Sequence, residues 1–114
     1  MKPRDVLKEI LEGKIDEDKA DVFFDEVVEY IHSNPSLSED DCWPSKWLCL
    51  TRVEWTAVGT GTPFTTVADW RKNGWPKSCF KCGKTIIPEN FGWVAKEVNG
   101  KHLLKHLVCP KSDL

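Results

Sequence analysis

Long apolar runs are absent from this 114-residue chain, and no stretch approaches the length that spans a bilayer. The opening Met1-Lys2-Pro3-Arg4 leads into no signal-peptide core, so the expected setting is cytoplasmic, without membrane contact. Internal repeats and low-complexity tracts are missing as well. So are the patterns that carry known chemistries. There is no His-Glu-x-x-His, no nucleophile–base constellation, no paired carboxylate motif and no cofactor fingerprint. The Gly59-Thr60-Gly61-Thr62-Pro63 turn lacks the Gly-Lys-Ser/Thr ending of a phosphate loop. Histidine is scarce, and His32 and His102 read as isolated surface residues. The expectation is a chain that is not an enzyme. Its five cysteines, an odd number without a secretion signal, argue for a reducing compartment and against a disulfide framework.

What is present is more specific. Cys79-Phe80-Lys81-Cys82 is succeeded, 23 residues on, by His106-Leu107-Val108-Cys109. Each step places two soft or borderline ligands on one tight turn. Four such ligands are the closed tetrahedral set of a structural zinc site. Gly83 relieves strain where the first turn doubles back. Between the steps, residues 91–98 read as a strand, Asn99-Gly100 as a type I′ turn, and residues 101–107 as the return strand. A two-residue turn pairs Trp93 with His106 and puts Trp93, Ala95, Leu104 and His106 on one face. Val94, Lys96, Leu103 and Lys105 take the other. The expected cofactor is one structural zinc ion on Cys79, Cys82, His106 and Cys109. A disulfide and a redox Cys-x-x-Cys are the rival readings. Redox pairs usually open a helix, which Gly83 and Ile87-Pro88 argue against. A catalytic zinc would need an open position and an acid or base, for which Glu89 and Glu97 are nearest in sequence. Cys42 and Cys49 read as ordinary thiols, with a second metal pair as the weaker alternative.

The pattern Cys-x2-Cys-x23-His-x2-Cys, with Gly83 and Ile86 in supporting positions, resembles the first half of a LIM-type module, and more generally the treble-clef and zinc-ribbon fingers. The resemblance covers the last third of the chain. Treble clefs open a helix at the second ligand pair; here Pro110 comes at once and the sequence stops at Leu114, which favours a ribbon or knuckle. The helix that some fingers set against nucleic acid is then missing.

The rest of the sequence predicts a single α+β domain: an acidic helical part (1–34), a mixed part (43–75) and the finger-like part (76–114). Pro3 suits a first helical turn, with Val6, Leu7, Ile10 and Leu11 on one face and Gly13 as the stop. Asp16 caps a second helix with an apolar stripe of Val22, Phe23, Val27, Tyr30 and Ile31, widened by Phe24 and Val28 and ended by Asn34-Pro35. Alternation over 47–58 predicts a strand, part of a small antiparallel sheet. Thr65 or Thr66 caps a short helix through Trp70, ended by Asn73-Gly74.

Charge is divided unevenly. Residues 1–42 hold 5 Lys/Arg against 13 Asp/Glu, a net of −8, while the remainder is +6. One face of the second helix is dense in Asp18, Asp21, Asp25, Glu26 and Glu29. A solvated face with favourable helix-start acids explains part of this. Asp18, Asp21, Asp25 and Glu29 are the candidate contacts for a basic partner. Six tryptophans point to core packing, with Trp70 and Trp75 expected to be the exposed pair available to a partner. Three functions are compatible with these features: a zinc-stapled protein-interaction module of inhibitor, immunity or regulatory type; a nucleic-acid-binding zinc ribbon ringed by Lys77, Lys81, Lys84, Lys96, Lys101 and Lys105; or a structural subunit of an assembly. An overall pI near 5.9 weighs against the second.

Overall fold

The computed structural model describes residues 1–109. The expected helix-free ending after Cys109 lies outside the described residues. The α+β class holds: helices occupy the first 73 residues, and a β-hairpin closes the described chain. The helices are α1 (Val6–Leu11), α2 (Glu17–Ser33), α3 (Pro44–Leu48), α4 (Arg52–Gly59) and α5 (Phe64–Asn73). The strands are β1 (Trp93–Val98) and β2 (Lys101–His106). No helix among the described residues is long and apolar enough to cross a membrane.

Local signals set the first two helices. Asp5 caps α1, accepting from the Lys8 N–H at 3.1 Å, so the helix starts later than Pro3. Asp16 caps α2 through the Lys19 N–H at 2.9 Å. Ala20, Phe23 and Val27 recur at helical spacing and are buried, whereas Val22, counted into the apolar stripe, is 56% exposed. Asn34 closes α2, its side-chain amide donating to the Tyr30 carbonyl at 2.7 Å.

The expected strand over 47–58 is not formed. Two short helices stand there instead. Pro44 starts α3, and Cys49, at φ 56°, ends it in the left-handed conformation. Thr51 and Glu54 then build a capping box: the Glu54 N–H donates to the Thr51 hydroxyl at 3.2 Å, and the Thr51 N–H to the Glu54 carboxylate at 2.9 Å. This reciprocal cap satisfies two N–H groups that a free helix end leaves bare. It outweighs the strand preference of Val53, Trp55 and Val58.

Helix α5 is capped from a distance. Pro63 precedes it in extended conformation and makes no side-chain cap. Glu17, at the start of α2, supplies the acceptor: its carboxylate takes the Phe64 and Thr65 N–H groups, both at 2.8 Å, and the Thr65 hydroxyl at 2.9 Å. The expected threonine cap is therefore a carboxylate 47 residues upstream. Replacing Glu17 by Ala is expected to lower stability by about 1 kcal/mol, read from urea midpoints, with Gln at this position recovering part of the loss.

One apolar core runs through the helices and on into the hairpin, from Val6, Leu7, Phe23, Val27, Leu48 and Val67 to Ile86, Trp93 and Leu104. Phe24 stacks on Trp55, with ring centroids 5.9 Å apart, joining α2 to α4. Trp75 bridges the two parts of the chain, standing 4.9 Å from Trp70 and 6.0 Å edge-on from Trp93. Trp70 is 6% exposed, which corrects the expectation that it faces solvent; Trp43, at 59%, is the exposed indole. The side-chain N–H groups of Trp47 and Trp93 each find a carbonyl, of Asp41 and Pro88, at 2.9 Å.

Candidate metal centre

The hairpin has the anticipated register, Trp93 opposite His106 and Val98 opposite Lys101. Asn99 and Gly100 both hold positive φ, 51° and 81°, as a type I′ turn requires. Trp93, Ala95 and Leu104 are buried on one face and carry His106 in line with them, half-buried at the strand end. The first ligand turn is stitched to this frame. Ser78 bridges Thr85, the Cys79 N–H donates to the Lys84 carbonyl at 2.9 Å, and the Phe80 N–H to the Leu104 carbonyl at 3.1 Å. Gly83, at φ 75°, takes the turn back, its N–H bonding the Cys79 carbonyl at 2.8 Å. Beyond β2, the Leu107 N–H holds the Gly92 carbonyl at 2.9 Å and steers the chain towards Cys109.

The result is a single cluster. The donor atoms of Cys79, Cys82, His106 and Cys109 all lie within 4.8 Å of one another. The Cys79 and Cys109 sulfurs are 3.8 Å apart, and the Cys82 sulfur is 3.4 Å from His106 Nδ1. A tetrahedral zinc with ordinary Zn–S and Zn–N bonds requires edges of about 3.8 Å between sulfurs and about 3.5 Å between sulfur and nitrogen. The donor set therefore fits one structural zinc ion, in both chemistry and spacing. A disulfide between Cys79 and Cys109 would leave the convergence of Cys82 and His106 without a cause.

Electrostatics prepare the site for a cation. Cys79 is buried, at 1% exposure. Burial pushes its thiol up, but backbone N–H groups, including those of Cys82 at 3.5 Å and Lys81 at 3.3 Å, point at the sulfur and bring its pKa down to about 5. Cys109 moves the other way, raised by burial and by the neighbouring sulfurs of Cys79 and Cys82. One thiolate is ready, and like-charge repulsion opposes the next until a cation sits between them. A bound zinc ion would supply cross-linking here, since all four positions belong to protein donors.

The remaining sequence candidates separate clearly. Glu89 and Glu97 are exposed and stand outside the cluster, as do Cys42 and Cys49, which are exposed free thiols. His32 is exposed as expected, whereas His102 is half-buried on the core-facing side of the hairpin. Asp18, Asp21, Asp25 and Glu29 all face solvent, and none makes an ion pair among the described residues. The Asp21 carboxyl is raised from its ordinary value by partial burial and by the charges of Glu17, Asp18 and Asp25. Trp75 is half-buried. Sequence reasoning missed the ionic junction in which Arg71 bonds both Glu54 and Asp5; the Thr51-x-x-Glu54 box was its one readable trace.

The class of protein defined here is a small α+β chain with a Cys3His cluster of zinc-finger kind in its C-terminal region. Compared with known proteins, the chain matches no family model, no curated protein and no solved structure.

Proposed function

We propose that the protein is a cytoplasmic, non-enzymatic interaction module of inhibitor, immunity or regulatory type, whose ribbon-like zinc hairpin braces a helical body that presents an acidic face to a basic protein partner. The observation that carries this is the row on α2. Four exposed carboxylates, at positions 18, 21, 25 and 29, stand at helical spacing with no ion pair among the described residues. Unpaired like charge on one helix destabilises the free protein, and a cationic surface relieves it while accelerating encounter. The Asp21 carboxyl is raised first by partial burial and then by the neighbouring charges of Glu17, Asp18 and Asp25.

The test is affinity capture with nuclease-treated extract of the source cells. The wild-type chain is compared with a variant carrying Lys at 18, 21, 25 and 29. A protein retained by the first, lost from the second and released at moderate salt is the expected result. Equal retention by both chains would sink the proposal. Recovery of nucleic acid without nuclease, and of nothing with it, would favour a finger that binds nucleic acid through its lysines instead.

A further inference from the structure

We propose that the metal-holding end of the finger is a docking surface for the acidic face of α2 in a second copy of this chain, so that copies associate head to tail. This rests on the reading of α2 as an interaction face and names a partner for it. Three apolar side chains stand in solvent on the two ligand turns: Phe80 at 40% exposure, Leu107 at 60% and Val108 at 86%. The turns lie side by side, because the Cys79 and Cys109 sulfurs are 3.8 Å apart and the Phe80 N–H bonds the Leu104 carbonyl of β2. One exposed apolar residue is ordinary, but several gathered at one end of a small module mark a contact surface. The turns that hold the ligands also set the positions of this patch.

Charge selects the occupant. Residues 76–109 carry six lysines against Glu89 and Glu97, a net of +4. A loaded Cys3His site would bring this to +3, since three thiolates outweigh a divalent ion by one. Lys81 stands inside the first turn and Lys105 just before the second. Every ion pair among the described residues joins side chains within residues 4–71. Lys81 and Lys105 enter none, and neither do the carboxylates at 18, 21, 25 and 29. The fold therefore leaves two unpaired sets of opposite sign unjoined within one copy.

The acidic face carries the matching apolar element. Asp18, Val22, Asp25 and Glu29 succeed one another at steps of four, three and four residues, which is one stripe of a helix, with Asp21 beside it. Val22 lies within this row at 56% exposure, framed by carboxylates. Lys19 is the one lysine on α2. At 1.5 Å per residue the row is about 16 Å long. An apolar centre with an acidic rim thus meets an apolar centre with a lysine rim, where the centre supplies affinity and the rim supplies orientation. The two surfaces differ, so the contact is heterologous. Each copy offers its finger to one neighbour and its α2 to another, and association continues unless the rotation closes a ring.

The experiment is sedimentation equilibrium of the zinc-loaded, full-length protein from about 10 μM to about 1 mM. The mean mass is expected to climb above the 13.1 kDa of one chain. Raising salt from ~0.05 M to ~0.5 M should weaken association by about tenfold. Val22→Ser should also weaken it by about tenfold. Two further chains should each stay monomeric. The first carries Asp18→Lys, Asp21→Lys, Asp25→Lys and Glu29→Lys; the second carries Lys81→Glu and Val108→Ser. Mixed, they should form a dimer with one copy of each, because the intact α2 of the second meets the intact finger of the first and neither can extend the row. All these positions are exposed and none is a ligand. Metal analysis and finger amide NMR shifts check that the second chain keeps its zinc and its fold. A wild type that stays monomeric throughout would overturn the proposal. So would a mixture that stays monomeric, or a wild-type assembly that the α2 reversal leaves intact. If the wild type is monomeric while α2 captures a different protein, the pairing falls and the interaction role stands. If copies assemble and nothing else is retained, the pairing stands and the reading of a foreign partner falls. Binding to anionic vesicles by a wild type that remains monomeric, lost with Val108→Ser, would assign the apolar turns to a lipid surface and also overturn the pairing.

Discussion

Removing zinc with a chelator is expected to melt the hairpin and leave the helical body folded. Structural zinc in isolated fingers contributes on the order of 10 kcal/mol of apparent folding free energy, more than a two-stranded hairpin can replace from its own contacts. Ile86, Trp93, Ala95 and Leu104 bury the inner face of the finger, and Trp75 against Trp93 and Arg52 over the Phe91 ring join it to the helical body. The helices keep their own buried set, Val6, Leu7, Ala20, Val27, Leu48, Ala57, Val67 and Ala68, each fully enclosed. Hydrogen exchange should then show β1 and β2 amides losing protection while those of α2 retain it. Metal analysis should return one zinc per chain before chelation, and Cys82→Ser should reproduce the chelated state. Hairpin amides that stay protected after complete metal removal would show that zinc does not hold this fold.

Arg71→Met is expected to cost about 3 kcal/mol, the low end for breaking a buried ion pair, because the arginine keeps 26% exposure. Its guanidinium forks onto both oxygens of Glu54, at 2.7 and 2.8 Å, and reaches the Asp5 carboxylate at 2.7 Å. Those contacts, with Glu54 foremost, raise the arginine pKa further above its already high value. Glu54 is 4% exposed, so loss of Arg71 strands a buried charge. Adding Glu54→Leu to the Arg71→Met chain should recover a good part of the loss, since an apolar pair of similar volume removes the desolvation penalty. Burial alone would push the Glu54 carboxyl up; bonding to Arg71 and to the Thr51 N–H overrides it and leaves the pKa below its ordinary 4.5. A carboxyl depressed in the folded state stabilises the protein above its unfolded value, and that contribution disappears as pH falls through the folded value. Urea midpoints should therefore drop below about pH 4.5 in the wild type, and Glu54→Gln should flatten that drop. An unchanged pH profile in the Gln variant would remove Glu54 from the acid response.

The parts of this molecule that were legible in its sequence are those with short-range causes. The ligand quartet is two local steps joined by a hairpin whose turn residues announce themselves, so both register and inner face could be read directly. Helix α2 declared its cap, stripe and end within one segment. Residues 47–58 misled because short helices carry too few turns to display a period, and their tryptophans and valines mimic alternation; the one dependable local signal was the Thr51–Glu54 box. Trp70 misled for another reason. Arg71 and Lys72 make its surroundings look polar, yet Arg71 turns inward to Glu54 and Asp5 while Trp70 packs on Trp75. The Glu17 cap of α5 depends on segments far apart in sequence meeting in space, which no local window contains.

The distant cap has a consequence for synthesis on the ribosome. Glu17 leaves the exit tunnel long before its partners at Phe64 and Thr65, and Glu54 emerges ahead of Arg71. Until residues 64–71 are free, the nascent chain holds two carboxylates whose final partners do not yet exist, so α2 cannot settle against α5 and α4 cannot bury its acid. Closure of the helical body is thereby delayed to one late moment, just before the cysteine-bearing segment appears. A pause inserted shortly upstream of codon 64 should prolong protease sensitivity of the nascent chain, whereas a pause several tens of codons beyond the end of α5, once that helix has cleared the tunnel, should not.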